Sequence, residues 1–264
     1  MSVQSITNDL SSWLRQVPDR LRIDFTTLDS PINRESVSIN LHFYSCVNMT
    51  ARPLVFYVIQ RRLDAGIMGA SAEDWKEGLA PNTVAVIDSC ITAARATTMI
   101  MDAAAKQNLV DGEYIFSAAL LLVMVNAAFP HNETNARSME TALTLLRSMA
   151  DRGNAYLGSR HSLLLELRAS IGPKPTENDV DGSSGALVIP PSPNGEHATG
   201  TTTLTDPAPH PTVPTEDWQS DLPSFQSISF QFDLNDDPAL WEGALDQIDI
   251  DMDTDWIENT LKRL

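Results

Sequence analysis

The fold is decided by residues 82–107, NTVAVIDSCITAARATTMIMDAAAKQ, which show the hydrophobic period of an α-helix. Mostly apolar side chains recur there at alternating spacings of three and four residues, which places them on one helix face. They are Val84, Ile87, Ile91, Ala94, Thr98, Met101 and Ala105. Pro81 precedes the stretch and suits a first helical turn, where the backbone N–H has no partner within the helix. The stretch therefore predicts a long helix with one face in a core.

Helical periodicity continues through the rest of residues 1–171, and no alternating strand pattern competes with it. Near the end of this region, residues 132–151 and 154–171 each place apolar side chains on one face. Gly153 lies between them and predicts the end of the first of these two helices. The predicted fold class is therefore all-α, with a helical bundle over residues 1–171 followed by a disordered linker and an acidic tail.

A second long helix is predicted for residues 32–63, which are apolar on nearly all sides in their first half. Arg61 and Arg62 stand at its end, where cations interact favourably with the helix dipole. Pro53 falls inside this stretch and removes one intrahelical hydrogen bond. We therefore expect the helix to be kinked or divided near Ala51.

Residues 114–129, YIFSAALLLVMVNAAF, form the most hydrophobic segment of the chain and contain no charged residue. A membrane-spanning helix is the alternative interpretation of this segment. It has 16 residues, whereas a spanning helix requires about 20. We therefore predict the central helix of the bundle, and no membrane partner.

The charge of the chain is divided very unevenly along its length. The 264 residues include 35 Asp and Glu against 18 Lys and Arg, a formal net charge of −17. Residues 1–174 hold 17 acidic and 16 basic side chains, net −1, whereas residues 175–264 hold 18 and 2, net −16. Direct binding of DNA or RNA requires a clustered Lys and Arg surface. Because the sequence offers only the pair Arg61-Arg62, we expect no direct contact with nucleic acid.

The acidic third of the chain consists of two segments of different composition. Residues 172–215 contain 9 Pro and 5 Gly among 44 residues and have little to bury, so we predict a disordered linker. Residues 216–258 contain 13 acidic side chains together with six of the chain's 17 aromatic ones. This acidic and hydrophobic alternation is typical of disordered activation segments. Residues 216–264 are therefore predicted to be an activation tail.

Part of this tail could fold into a short amphipathic helix on a partner with a shallow apolar groove and a basic rim. The expected partner is a coactivator or a mediator-type protein of the transcription machinery. The alternative is a solubilising tail without a specific partner, but solubility alone would not need the aromatic side chains. The side chains expected to contact the partner are Trp241, Ile248, Met252, Trp256 and Ile257.

Catalytic and metal-binding arrangements are hard to find in the sequence. The five histidines show no spacing typical of metal ligands, and Cys46 and Cys90 cannot form a zinc site from cysteine alone. No glycine-rich phosphate-binding motif, zinc-protease motif or nucleophile elbow is present. We therefore predict neither catalytic residues nor a cofactor, and no enzymatic activity.

Five short elements occur in a recognisable order. Residues 10–21, LSSWLRQVPDRL, are similar to the pattern L..W...LP..L, and residues 39–44, INLHFY, with the later Arg52-Pro53-Leu54, are similar to LHL.Y with a trailing Arg-Pro. The other three elements are a C..AA helix, an apolar helix and the start of a closing helix pair, at residues 90–95, 116–129 and 145–154. In this order they resemble the regulatory, or middle-homology, domain of fungal zinc-cluster (Zn2Cys6) transcription factors, and most of all the proline-utilisation trans-activator-like regulators.

The resemblance implies an all-α regulator of transcription in the nucleus, with residues 1–171 as the C-terminal half of the family domain. His42, Arg52 and Pro53 are the positions that match the family motif. A structural role for them is favoured over effector binding. The family's six-cysteine zinc cluster has no counterpart in this chain, so no zinc or DNA-binding residue can be carried over. The resemblance leaves open a homodimer or a heterodimer with a related regulator.

The sequence therefore carries two functional hypotheses. The first is a transcription regulator without its own DNA-binding module, controlling a metabolic or secondary-metabolite gene cluster and recruiting transcription machinery through the tail. The second is a helical small-ligand-binding protein or enzyme, with a pocket formed by residues 114–129, His42, Tyr44 and Arg52. The start of the sequence lacks the features of a secretory signal, which fits the expected nuclear location.

Overall fold

The computed structural model describes residues 3–66, 75–109, 111–171 and 254–263, and within these ranges the chain is all-α, as predicted. Six helices form the body, and a seventh comes from the C-terminal tail. They are α1 (Val3–Gln16), α2 (Arg34–Asp64), α3 (Pro81–Ala105), α4 (Gly112–Ala128), α5 (Glu133–Asp151), α6 (Ala155–Ile171) and α7 (Thr254–Arg263). Two short 3-10 helices, Asp19–Leu21 and Phe25–Thr27, connect α1 to α2. The predicted disordered linker, residues 172–215, lies outside the described residues.

Four of the six helices of the body begin where a short polar side chain accepts a hydrogen bond from the first turn. Each of these side-chain oxygens accepts from a backbone N–H two or three residues later, at 2.9–3.2 Å. They belong to Asn33, Asp111, Asn132 and Asn154, which precede α2, α4, α5 and α6. Replacing such a cap by alanine typically costs about 1 kcal/mol. Between α5 and α6, Gly153 adopts φ of +100°, a conformation that favours glycine, so the turn falls at the predicted position.

The helix α2 continues through Pro53, so the predicted alternative of two separate helices divided near Ala51 is wrong, and the predicted kink stays a prediction. Pro53 is buried in the bundle together with its neighbours Arg52 and Leu54. Proline removes one backbone hydrogen bond and so weakens an isolated helix. Burial of this part of α2 against α3 and α4 offsets that loss, because packing of an apolar face contributes most of the stability of a helix within a protein.

The core lies between α2, α3, α4 and α5, with α6 closing one side. Leu54, Ile87, Phe116 and Leu120 are examples of side chains that are fully buried there. Full burial of one such side chain contributes about 1.5–3 kcal/mol. α4 is buried on nearly all sides, as predicted for the central helix of the bundle.

Packing inside the protein also accounts for the hydrophobicity of the two most apolar helices. α3 is long and apolar enough to cross a membrane by length and composition, and 83% of its most apolar window is buried within the bundle. α4 is apolar but has only 17 residues, fewer than the roughly 20 of a spanning helix. A core helix in the middle of a bundle has the same composition because it has no solvent-facing side.

α6 is attached to its neighbours by two ion pairs as well as by its apolar face. Arg160 Nη1 donates to Glu113 Oε2 on α4 at 2.9 Å, and Arg168 Nη2 lies 2.6 Å from Glu140 Oε1 on α5. The guanidinium of Arg160 also lies 4.3 Å from the centroid of the Phe116 ring. α6 is therefore fixed relative to both α4 and α5.

Candidate functional site

Arg52 and Pro53, two of the three positions that match the family motif, are buried where α2 packs against α3 and α4. Arg52 is only 9% exposed. Its Nη1 donates a hydrogen bond to Ser117 Oγ on α4 at 2.9 Å, and its guanidinium lies 6.0 Å from the centroid of the Phe56 ring. Because a buried guanidinium is costly unless its donors find acceptors, the contact with Ser117 helps to set the position of α2 against α4.

Cys90 approaches the same part of α2 from α3. Its Sγ is completely buried and lies 3.6 Å from Asn48 Oδ1, to which it can donate. Burial raises the pKa of the Cys90 thiol to about 12, and the positive charge of Arg52 opposes this shift only in part. The thiolate is the nucleophile and the metal ligand. Cys90 is therefore a packed side chain that stays protonated at neutral pH.

His42 lies on the exposed side of α2, one turn and a half before Asn48. Its Nδ1 is 2.7 Å from the Ser38 carbonyl oxygen. Since a carbonyl only accepts, Nδ1 carries the proton in this contact. The His42 ring meets the Tyr114 ring edge-on, with 5.6 Å between centroids. His42 therefore links α2 to the first turn of α4 at the surface and does not enter the core with Arg52 and Pro53.

A cavity of about 210 Å³ lies between α3, α5 and residues 28–29. It is smaller than a typical ligand pocket of about 300–1,000 Å³. Lys106 at its edge forms an ion pair with Asp29, with 3.5 Å between Nζ and Oδ1. His42, Tyr44 and Arg52, the residues suggested by the sequence for a ligand pocket, do not line this cavity.

Metal ligands do not gather in the part of the chain that the structure describes. No group of three or more His, Cys, Asp or Glu side chains there is arranged to hold a metal ion. The expectation that the chain has no cofactor stays a prediction, because it concerns the whole chain and this observation does not.

The tail contributes one described element, the helix α7, which includes Trp256 and Ile257. The Ile257 side chain is fully buried and belongs to the same core cluster as the body. Thr260 is only 3% exposed, and Leu261 packs against the cluster while partly exposed. These three side chains lie on one face of α7, since their spacings are three and four residues. α7 packs against α6 through this face.

The opposite side of α7 is polar. Glu258 and Lys262 are both exposed and form an ion pair one turn apart, with 3.7 Å between Nζ and Oε2. α7 is thus an amphipathic helix with its apolar face already covered. Of the other side chains predicted to contact a partner, Trp241, Ile248 and Met252 lie outside the described residues, and so does the side chain of Trp256.

The contact between α7 and α6 was not predicted from the sequence, which placed the whole tail away from the body. A signal for the helix itself is present. Ile257 and Leu261 are one turn apart, and Lys262 and Arg263, the two cations of residues 175–264, stand in the last turn. The sequence carries no comparable signal for where such a helix would pack.

No family model matches the chain, and no curated protein or solved structure matches it. The resemblance to the zinc-cluster regulators therefore rests on the sequence elements alone and stays a prediction.

Proposed function

We propose that the protein is a transcription regulator that acts through protein contacts of its acidic, aromatic tail and carries no DNA-binding module in this chain. The observation that supports this most directly is the uneven charge. The tail and linker, residues 175–264, have a net charge of −16, whereas residues 1–174 have a net charge of −1. A chain that needed the charge only for solubility would not place six aromatic side chains among these carboxylates.

Electrostatic repulsion explains how this composition would work. Neighbouring carboxylates repel one another over distances shorter than the Debye length of about 8 Å at physiological salt. This repulsion opposes collapse of the tail and keeps its apolar side chains available for a partner. A partner with a shallow apolar groove and a basic rim would bind both parts of the pattern. The body, whose described helices enclose a well-packed core, would carry the tail.

The test is a reporter assay with residues 216–264 fused to a heterologous DNA-binding domain. We expect activation by the intact tail, and loss of most of it in the triple variant Trp241→Ala, Ile248→Ala and Trp256→Ala. The matched control replaces three uncharged polar side chains of the same tail by alanine: Gln219, Ser224 and Gln226. The proposal is wrong if the intact tail is silent, or if the control variant loses as much signal as the apolar one, at equal expression of all fusions.

The second candidate function, binding of a small ligand, is favoured by one observation, the cavity between α3 and α5. Its edge carries charges of both signs, from Asp102 and Lys106 among others. Its small volume and the ion pair of Lys106 with Asp29 make it the weaker candidate. A metabolite that raises the unfolding temperature of the protein, and fails to do so in the variant Asp102→Asn, would favour this alternative.

A further inference from the structure

One face of α7 is assigned to two different contacts. The sequence predicts that it binds a partner, whereas in the structure it packs against α6. Trp256 and Ile257 were predicted to contact a partner, yet the structure buries the Ile257 side chain completely. Thr260 is buried beside it, and Leu261 completes the apolar face. A short amphipathic helix has one apolar stripe. That stripe cannot cover α6 and fill the groove of a partner at the same time.

We infer that the packing of α7 on α6 is an autoinhibitory contact, which withholds the end of the tail from a partner with an apolar groove and a basic rim. This inference rests on the proposed function, because it needs a partner that the tail recruits. A partner would have to bind α7 in its undocked form. Its apparent affinity would then be lowered by the fraction of molecules in which α7 is undocked.

Three features of the described residues suit such a contact. α7 has 10 residues, fewer than the 12–15 that an isolated helix needs to be even marginally stable in water, so its helicity depends on what it packs against. α6 is anchored in the core cluster by fully buried side chains such as Leu164 and Leu167, so the surface it offers is fixed. Docking is also intramolecular, so α7 competes with any partner at a high effective concentration.

The exposed charges described for α7, Glu258 and Lys262, do not oppose its release from α6. Both are exposed and pair with each other, and among the described residues neither forms an ion pair with α6. The contact therefore depends on the buried face around Ile257 and Thr260. A partner that offers an equivalent apolar surface to this face would replace the contact.

The experiment uses the full chain and two substitutions that change the charge by the same amount. Thr260→Asp introduces a carboxylate on the buried face of α7, while Lys262→Gln changes the net charge equally on the exposed face. Thr260 lies on the stripe that a partner would also use, so both substitutions are also made in residues 216–264 alone, and the reporter activity of the full chain is divided by that of the isolated tail with the same substitution. The first measurement is amide hydrogen exchange of the purified protein. We expect residues 254–263 to lose protection in Thr260→Asp and to keep it in Lys262→Gln. Unchanged protection in Thr260→Asp would overturn the docking.

The second measurement is the reporter assay with the full chain fused to the heterologous DNA-binding domain. If nine-tenths of the molecules are docked, release raises this ratio by about tenfold in Thr260→Asp, and Lys262→Gln resembles the unchanged chain. Loss of protection without a rise in the ratio would overturn the inference, provided that residues 216–264 alone activate. If residues 216–264 alone are also silent, the proposed function fails, and the autoinhibition fails with it.

Discussion

At Gly112, the first residue of α4, the Leu157 side chain of α6 packs directly against the α4 backbone, so a single added methyl group should destabilise the protein. A Cβ built on Gly112 would lie 2.5 Å from Leu157 Cδ1, 2.6 Å from Cδ2 and 3.1 Å from Cγ. Leu157 is buried at 3% exposure, so its side chain cannot move freely out of the way. We expect Gly112→Ala to destabilise the bundle by about 1–3 kcal/mol, the usual cost of overpacking a core.

The matched control is Gly158→Ala, one residue beyond Leu157 on α6. A Cβ there would meet only the Ala150 Cβ at 3.5 Å, an ordinary contact. Alanine is favoured over glycine inside a helix by about 0.5–1 kcal/mol, so this variant should be more stable than the unchanged chain. Urea unfolding of the full chain, followed by far-ultraviolet circular dichroism, measures both effects. If Gly112→Ala raises the urea midpoint, or leaves it unchanged, the close approach of α4 and α6 is wrong.

Two further predictions concern titratable side chains. At mildly alkaline pH, a thiol reagent should modify only Cys46 in the folded protein, because Cys90 is buried and its pKa is raised to about 12. In denaturant both thiols should react. Two fast-reacting thiols in the folded protein would contradict the packing of α3. The pKa of His161 is lowered, mainly by burial and also by the positive charge of Arg147, while the negative charge of Asp151 partly opposes this shift. The unfolded chain therefore binds the proton more tightly, so this contribution to stability is present above the ordinary pKa of about 6.5 and is lost as pH falls below it. His161→Gln should flatten the fall in urea midpoint between about pH 7 and pH 5, and an unchanged slope would refute this.

Most of the body could be predicted from the sequence because its signals are local. Short polar side chains mark the starts of α4 and α5, and Gly153 marks the turn before α6. In α3, however, the predicted face is only part of what is buried. Ala93, Ala96 and Ile100 are also fully buried, because α3 has neighbours on several sides. A single stripe of apolar residues underestimates the burial of a helix that lies inside a bundle.

The behaviour of Pro53 and of Ile257 could not be predicted, for a related reason. Propensity describes the helix alone, and on that scale a helix tends to end before Pro53, whereas α2 continues through it. Contacts of α2 with α3 and α4 decide the outcome, and those contacts join residues far apart in the sequence. The helix α7, which carries Ile257, is separated from α6 by residues 172–253. The composition of the tail predicted an exposed apolar side chain, whereas the structure gives it a place in the core cluster.

The two contacts of α7 differ in how they should depend on charge. Docking on α6 buries Ile257 and Thr260, and the described charges of α7, Glu258 and Lys262, pair with each other. Hydrophobic burial is insensitive to moderate salt, whereas attraction between exposed charges is screened within about 8–10 Å. A partner with a basic rim would draw on the acidic residues along the tail, so its binding weakens as salt rises. The population of the docked state relative to the partner-bound state should therefore rise with increasing ionic strength. At low salt, the carboxylates that oppose collapse of the tail should also favour binding of α7 to its partner.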